Sequence, residues 1–133
     1  MRNLFKTIIG APVLLAASLA IGVASAENLT LYTSQPDADA AKTVEAFRKV
    51  NPDVEVQVYR SGTSDILTKL PAEFSAGASQ ADVLLIADAV SMEGLKKQGK
   101  QQAYEKANVE GFAADSYDKD KTYLGSKLST TGI

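Results

Sequence analysis

The chain has 133 residues, with 14 basic against 16 acidic side chains and a net charge of −2. It contains no histidine and no cysteine, which excludes thiol nucleophiles, thiolate metal sites and disulfides and removes the commonest general base and neutral metal ligand. No basic run is interleaved with aromatic residues, which argues against nucleic acid as a partner.

Arg2 and Lys6 precede an apolar run over residues 8–23, and Ala24, Ser25 and Ala26 end it with a small-x-small pattern. This pattern predicts a secretory signal peptide over residues 1–26, cut before Glu27. Gly10, Pro12, Ser18 and Gly22 interrupt the run, and it falls short of a membrane span. The expected location is therefore the periplasm. Residues 27–133 retain 12 basic and 16 acidic residues, a net −4, and read as one small domain held together by packing alone.

In chain order, residues 29–33 alternate apolar and polar and predict a first strand. The turn residues Ser34, Gln35, Pro36 and Asp37 follow. Ala40, Ala41, Val44, Phe47 and Val50 then mark one face of a helix over about 38–50, with Asp37 and Asp39 at its positive end and Arg48 and Lys49 at its negative end. Asn51 and Pro52 stop it. Val54, Val56 and Val58 alternate with polar residues, a strand wet on one face and so placed near a sheet edge.

A second helix carries Ile66, Leu67, Leu70 and Phe74, with Pro71 expected to kink or split it and Gly77 to end it. The run Val83, Leu84, Leu85 and Ile86 predicts a strand covered on both faces and therefore more central than the second. A third helix is expected over 91–98, closed by Gly99. The order βαβαβα, with short connections, predicts an α/β fold with a parallel-rich sheet, helices on both faces and spatial strand order 2-1-3. Residues 108–121 are polar and turn-rich, and residues 123–133 are strand-like. The apolar last residue, Ile133, leads us to expect that this strand continues into further sequence.

In open parallel sheets, ligands gather beyond the carboxyl ends of the strands. Three loops leave those ends: Thr33, Ser34 and Gln35; Ser61, Gly62, Thr63 and Ser64; and Ala87, Asp88 and Ala89. All are small or polar. Gly62 permits close approach to the backbone, and the following helix start offers unpaired N–H donors that favour an anion. Each loop also has a plainer role: Thr63 or Ser64 as a helix cap, Asp88 as a cap of the third helix, and Thr33 and Ser34 as a turn. The expected ligand-binding set is Thr33, Ser34, Gln35, Ser61, Gly62, Thr63, Ser64 and Asp88, with no catalytic residue, no metal ligand and no cofactor.

The stretches LTLYTSQPDADAAKTVEAFRKVNPDVEVQVYRSGTSDILTKL, ADVLLIADAVSMEGLKKQGK and TYLGSKLSTTGI resemble extracellular solute-binding proteins of ABC importers. They are most similar to the group that binds ferric iron, with 2-aminoethylphosphonate and polyamine binders nearby. The resemblance covers nearly all of residues 27–133. It implies a two-lobed type II periplasmic binding fold, of which this chain supplies the N-terminal lobe and a crossing strand near 128–133. It also implies a monomer that delivers a small-molecule or metal-complex ligand to an inner-membrane ABC permease. Iron binders of this kind often carry a histidine after the first strand and a glutamate after the third, where this chain has Ser34, Gln35 and Pro36, and Asp88. An anion-bearing solute fits Gly62, Thr63 and Ser64 better. The alternative, an exported α/β hydrolase or transferase fragment, would need Ser61 or Ser64 as nucleophile, and no histidine is present to serve as its base. A third alternative is a truncated gene product without function.

Overall fold

The computed structural model describes residues 27–87 and 89–127. Residues 1–26, expected to be a signal peptide, Asp88, and residues 128–133 of the expected crossing strand lie outside the described residues. The elements run β1 (Glu27–Thr33), α1 (Asp37–Val50), β2 (Val54–Arg60), α2 (Thr63–Ser75), β3 (Val83–Leu85) and α3 (Ala89–Lys97). The sheet order is β2-β1-β3, and both pairings are parallel.

Alternation along β1 divides the core in two. Leu31 packs with Val56 of β2 and Val44 of α1, flanked by Leu29, Phe47 and Leu85. Tyr32 points to the opposite face and packs with Ile66 and Leu70 of α2 and Leu95 of α3. One helix therefore covers one face and two cover the other, as two apolar faces of a sheet require.

The termini follow from local chemistry. Asn51 closes α1 by giving both its backbone and side-chain N–H groups to the Phe47 carbonyl, at 3.0 and 3.1 Å. Gly77 and Gly99 each have φ +64, a conformation open to glycine. Gly77 and Ala78 donate to the Phe74 and Glu73 carbonyls, and Gly99 and Lys100 donate to those of Lys96 and Leu95. Both sets form the paired bonds that end a helix in a left-handed residue.

Four expectations need correction. Pro71 does not split α2, which continues through it to Ser75; the lost donor would have served Leu67, one turn earlier. Among the described residues β1, not β3, has a strand on each side, and Val83 is 42% exposed. The apolar run at 83–86 does pack: Leu84, Ile86 and Leu85 support the two clusters. In the described part of 123–133 the pairing is a single antiparallel bridge, Tyr117 with Leu124, rather than a strand. Finally, α3 begins at Ala89, two residues earlier than its apolar pattern starts.

Candidate functional site

Two backbone hydrogen bonds and the Thr33 hydroxyl draw the strand ends together. Ser61 donates its N–H to the Thr33 carbonyl at 3.1 Å, which joins the ends of β2 and β1. Ser34 donates its N–H to the Leu85 carbonyl at 3.1 Å, which joins β1 to β3. The Thr33 hydroxyl donates to that same carbonyl at 3.0 Å and accepts the Gln35 N–H at 3.1 Å. The two described loops, Thr33–Gln35 in sequence and residues 61–64, thus share one edge of the sheet with the end of β3.

The individual side chains differ in what they leave available. Thr33 is fully buried, and its hydroxyl is committed to Leu85 and Gln35, so it locks the site and presents no group to a ligand. Ser34 and Gln35 are half-buried. The Gln35 side-chain oxygen lies 3.5 Å from the Thr43 hydroxyl. The Ser61 hydroxyl donates to Asp65 Oδ2 at 2.8 Å, which holds a carboxylate in the first turn of α2 and opposes an anion there.

The cap is also not where the sequence placed it. The N-cap of α2 is Gly62, with extended φ −64 and ψ 151 and no side-chain cap bond. Thr63 and Ser64 are the first helical residues. The intrahelical ladder begins with the Ile66 N–H on the Gly62 carbonyl at 3.0 Å, so the N–H groups of Thr63, Ser64 and Asp65 precede it. Asp88 lies outside the described residues.

Three cations went unread in the sequence. Arg60, the last residue of β2, donates from Nε to the Gln35 carbonyl at 3.2 Å and lies 3.7 Å from Asp37 Oδ1. Lys42 and Lys127 border a hollow of about 380 Å³ that also touches Gln35 and Leu85, and Lys127 lies 3.3 Å from Asp39. The signal for Arg60 was its place, directly before Ser61 at a strand end. Lys127 could be found only by tertiary structure. A larger hollow of about 500 Å³ runs between α1 and β2 past Val44, Val56 and Val58. It follows the middle of a strand and is largely apolar, so it is not where the polar loops meet.

Among the described residues no group of three or more acidic side chains is placed to hold a metal ion. No described helix is long and apolar enough to cross a membrane.

A parallel β2-β1-β3 sheet between helices, with its polar loops gathered at the strand ends, is the fold of a periplasmic-binding-protein lobe. Residues 31–128 match the family model for the bacterial extracellular solute-binding proteins, and the chain belongs to that family. A comparison with curated proteins gave no match. The family places the chain outside the cytoplasmic membrane as the substrate-binding component of an ABC transporter, a family that is generally not enzymatic and works with ABC permeases.

Proposed function

We propose that the chain captures a small polar or anionic solute, phosphonate-like or a ferric iron complex, for import. Residues 27–133 would form the N-terminal lobe of a two-lobed, monomeric binding protein whose signal segment is removed before Glu27. The ligand site comprises Ser34, Gln35, Ser61, Gly62, Thr63, Ser64 and Asp88, with Thr33 as its internal lock. The observation that carries this reading is the joining of the loops by Ser61 to Thr33 and Ser34 to Leu85. It gathers the start of α2, with its leading N–H groups, and Gly62 on one sheet edge, an arrangement that favours negative charge, while Arg60 beside them shares its charge with Asp37. The Asp65 carboxylate limits that preference and suits a solute carrying an amine beside its anionic group. The phosphonate reading draws on the resemblance as well, and iron would arrive as a complex.

Calorimetric titration tests the reading. Because one lobe cannot close over a solute, the protein used is the chain joined to its second lobe. The solutes are 2-aminoethylphosphonate, inorganic phosphate, ferric citrate and spermidine. Binding of the phosphonate or the ferric complex is expected, weakened by about tenfold or more, ~1.4 kcal/mol, in Gly62→Val. Binding of spermidine alone would refute the anion preference. Parent-like affinity in Gly62→Val would refute the role of this loop.

A further inference from the structure

Beneath α2, three polar side chains meet in a place where apolar packing would serve. Tyr32, 2% exposed, donates its hydroxyl to Glu73 Oε1 at 2.7 Å. Lys69 Nζ donates to the Tyr32 hydroxyl at 3.0 Å and also pairs with Glu73 Oε1. The same ammonium lies 5.2 and 5.4 Å from the ring centroids of Tyr32 and Tyr59, whose rings are 4.6 Å apart. Glu73 Oε2 is buried with no hydrogen-bond partner among the described residues. An ion pair between a largely buried carboxylate with an orphaned oxygen and a partly exposed lysine is a poor source of stability, and apolar groups of similar volume often hold such a position as well or better.

What this trio adds is direction. Ile66 and Leu70 are 0% and 1% exposed and press α2 against the sheet, but apolar contact is non-directional and defines travel along the helix axis weakly. The Tyr32 hydroxyl bonds two successive turns of α2, at Lys69 and Glu73, to a fixed point on β1. That point is the residue before Thr33. The first residue of α2, Thr63, lies about 9 Å along the axis from Lys69 at the usual rise per residue. A slip of α2 would therefore carry its leading N–H groups out of line with residues 33–35.

We propose that Tyr32, Lys69 and Glu73 are positioning residues that set α2 along its axis and so hold the backbone donors of Thr63, Ser64 and Asp65 in place against the β1 loop. This rests on the reading of those strand ends as the solute site. The trio acts through α2 and not on the solute.

The test is amide hydrogen exchange and amide chemical shift on the full chain, without any solute. Tyr32→Phe removes only the hydroxyl and leaves Lys69 and Glu73 paired. It should speed exchange across residues 66 and 67 by about tenfold or more and shift the resonances of 63–65, while Ala40 and Val44 of α1 stay as in the parent. Glu73→Leu should do the same, and Glu73→Gln, which keeps an acceptor for the tyrosine, should restore parent-like behaviour. Parent-like exchange and shifts at 63–67 in Tyr32→Phe would overturn the proposal. So would uniform acceleration that includes Ala40 and Val44, or a Glu73→Gln variant indistinguishable from Glu73→Leu. Since no solute enters the measurement, this proposal and the solute reading fail separately.

Discussion

The ammonium of Lys96 on α3 lies 2.5 Å from Oδ1 of Asp118 and 2.8 Å from Oδ2 of Asp120. Asp118 also accepts the Thr122 N–H at 3.3 Å and its hydroxyl at 2.7 Å. One lysine thereby pins the irregular segment after α3 back onto the helix. The hydrogen bond from Lys96, with those from Thr122, lowers the Asp118 pKa from 3.8 to about 2, and the two carboxylates raise that of Lys96 above its ordinary value.

The sign of the linkage follows. A carboxylate with a depressed folded pKa contributes stability above its unfolded value and loses it as pH falls through the folded one. The Asp118 contribution is therefore present above pH 3.8 and fades as pH falls toward about 2. That of Lys96 is present up to 10.5 and is lost as pH rises beyond it. Urea midpoints measured from about pH 6 down to about pH 2.5 should fall less in Lys96→Met than in the parent, because its Asp118 no longer resists protonation. Equal falls would show that the pair contributes nothing to acid stability.

Pro71 sits inside α2 between the buried Leu70 and the half-buried Phe74. It leaves the Leu67 carbonyl without its usual helical donor, and alanine would restore that bond. Against this, proline stiffens the unfolded chain, worth about 0.4–1 kcal/mol where the native backbone suits it. The mid-helix penalty is about 3 kcal/mol, so the helix term wins. Pro71→Ala should stabilise the chain by about 2 kcal/mol in urea unfolding, and a destabilised variant would show that the helix is built around the proline.

The sequence made the alternating architecture readable because each element carries its own period. Val54, Val56 and Val58 have a strand's spacing, and Ala40, Val44 and Phe47 a helix's. The parallel pairing followed from strands alternating with helices over short loops, and the wet face of Val54 to Val58 put β2 on the outside of the order 2-1-3. The cap of α2 was not readable, since Ser61, Gly62, Thr63 and Ser64 are all acceptable caps and only backbone geometry chooses among them. Ser61 is drawn away by Asp65, and Gly62 takes the position with no side chain to bond. The run at 83–86 was read as a two-faced strand from its apolarity, which does not reveal how many neighbours a strand has. Of the expected site, Thr33 and Ser34 are adjacent and equally polar in sequence, yet one is sealed in and the other is half-buried at the edge. That difference comes from strand parity and from the Leu85 carbonyl 52 residues away. Arg60 was missed because an arginine at the end of a wet strand looks like ordinary solvation.

The Gly62 cap gives a stability prediction independent of any solute. An added Cβ would lie 3.2 Å from Asp65 Oδ2, the far end of a flexible side chain. The backbone there is extended at φ −64, which any residue can adopt. Gly62→Asn should therefore fold and add a side-chain acceptor for the first turn, for a gain of a few tenths of a kcal/mol, about 0.3. The same side chain would fill the approach to the backbone and weaken capture of an anionic solute. Thermal melts with calorimetry on the same sample separate the two effects. Stability and affinity falling together would mean that Gly62 is needed for the fold itself.

Thr33 and Ser34 supply the sharpest division between scaffold and site. Thr33→Val keeps the shape of a fully buried side chain but removes the hydroxyl that donates to Leu85 and accepts the Gln35 N–H. The Gln35 amide then loses its partner in a half-buried position, at a cost of about 1–3 kcal/mol. Ser34 holds its place through its backbone N–H on Leu85, which Ser34→Ala leaves intact, so folding should change by less than about 0.5 kcal/mol. If the strand ends hold the solute, Ser34→Ala should lower affinity with little change in melting temperature. Thr33→Val should lower the melting temperature first, and affinity only through the loosened loop. Thermal unfolding of each variant, paired with titration of 2-aminoethylphosphonate into the two-lobed protein proposed above, gives four numbers that decide the matter. A Ser34→Ala variant that melts lower but binds as the parent does would reverse the assignment, making Ser34 scaffold and moving the solute to the hollow beside Gln35 and Lys42.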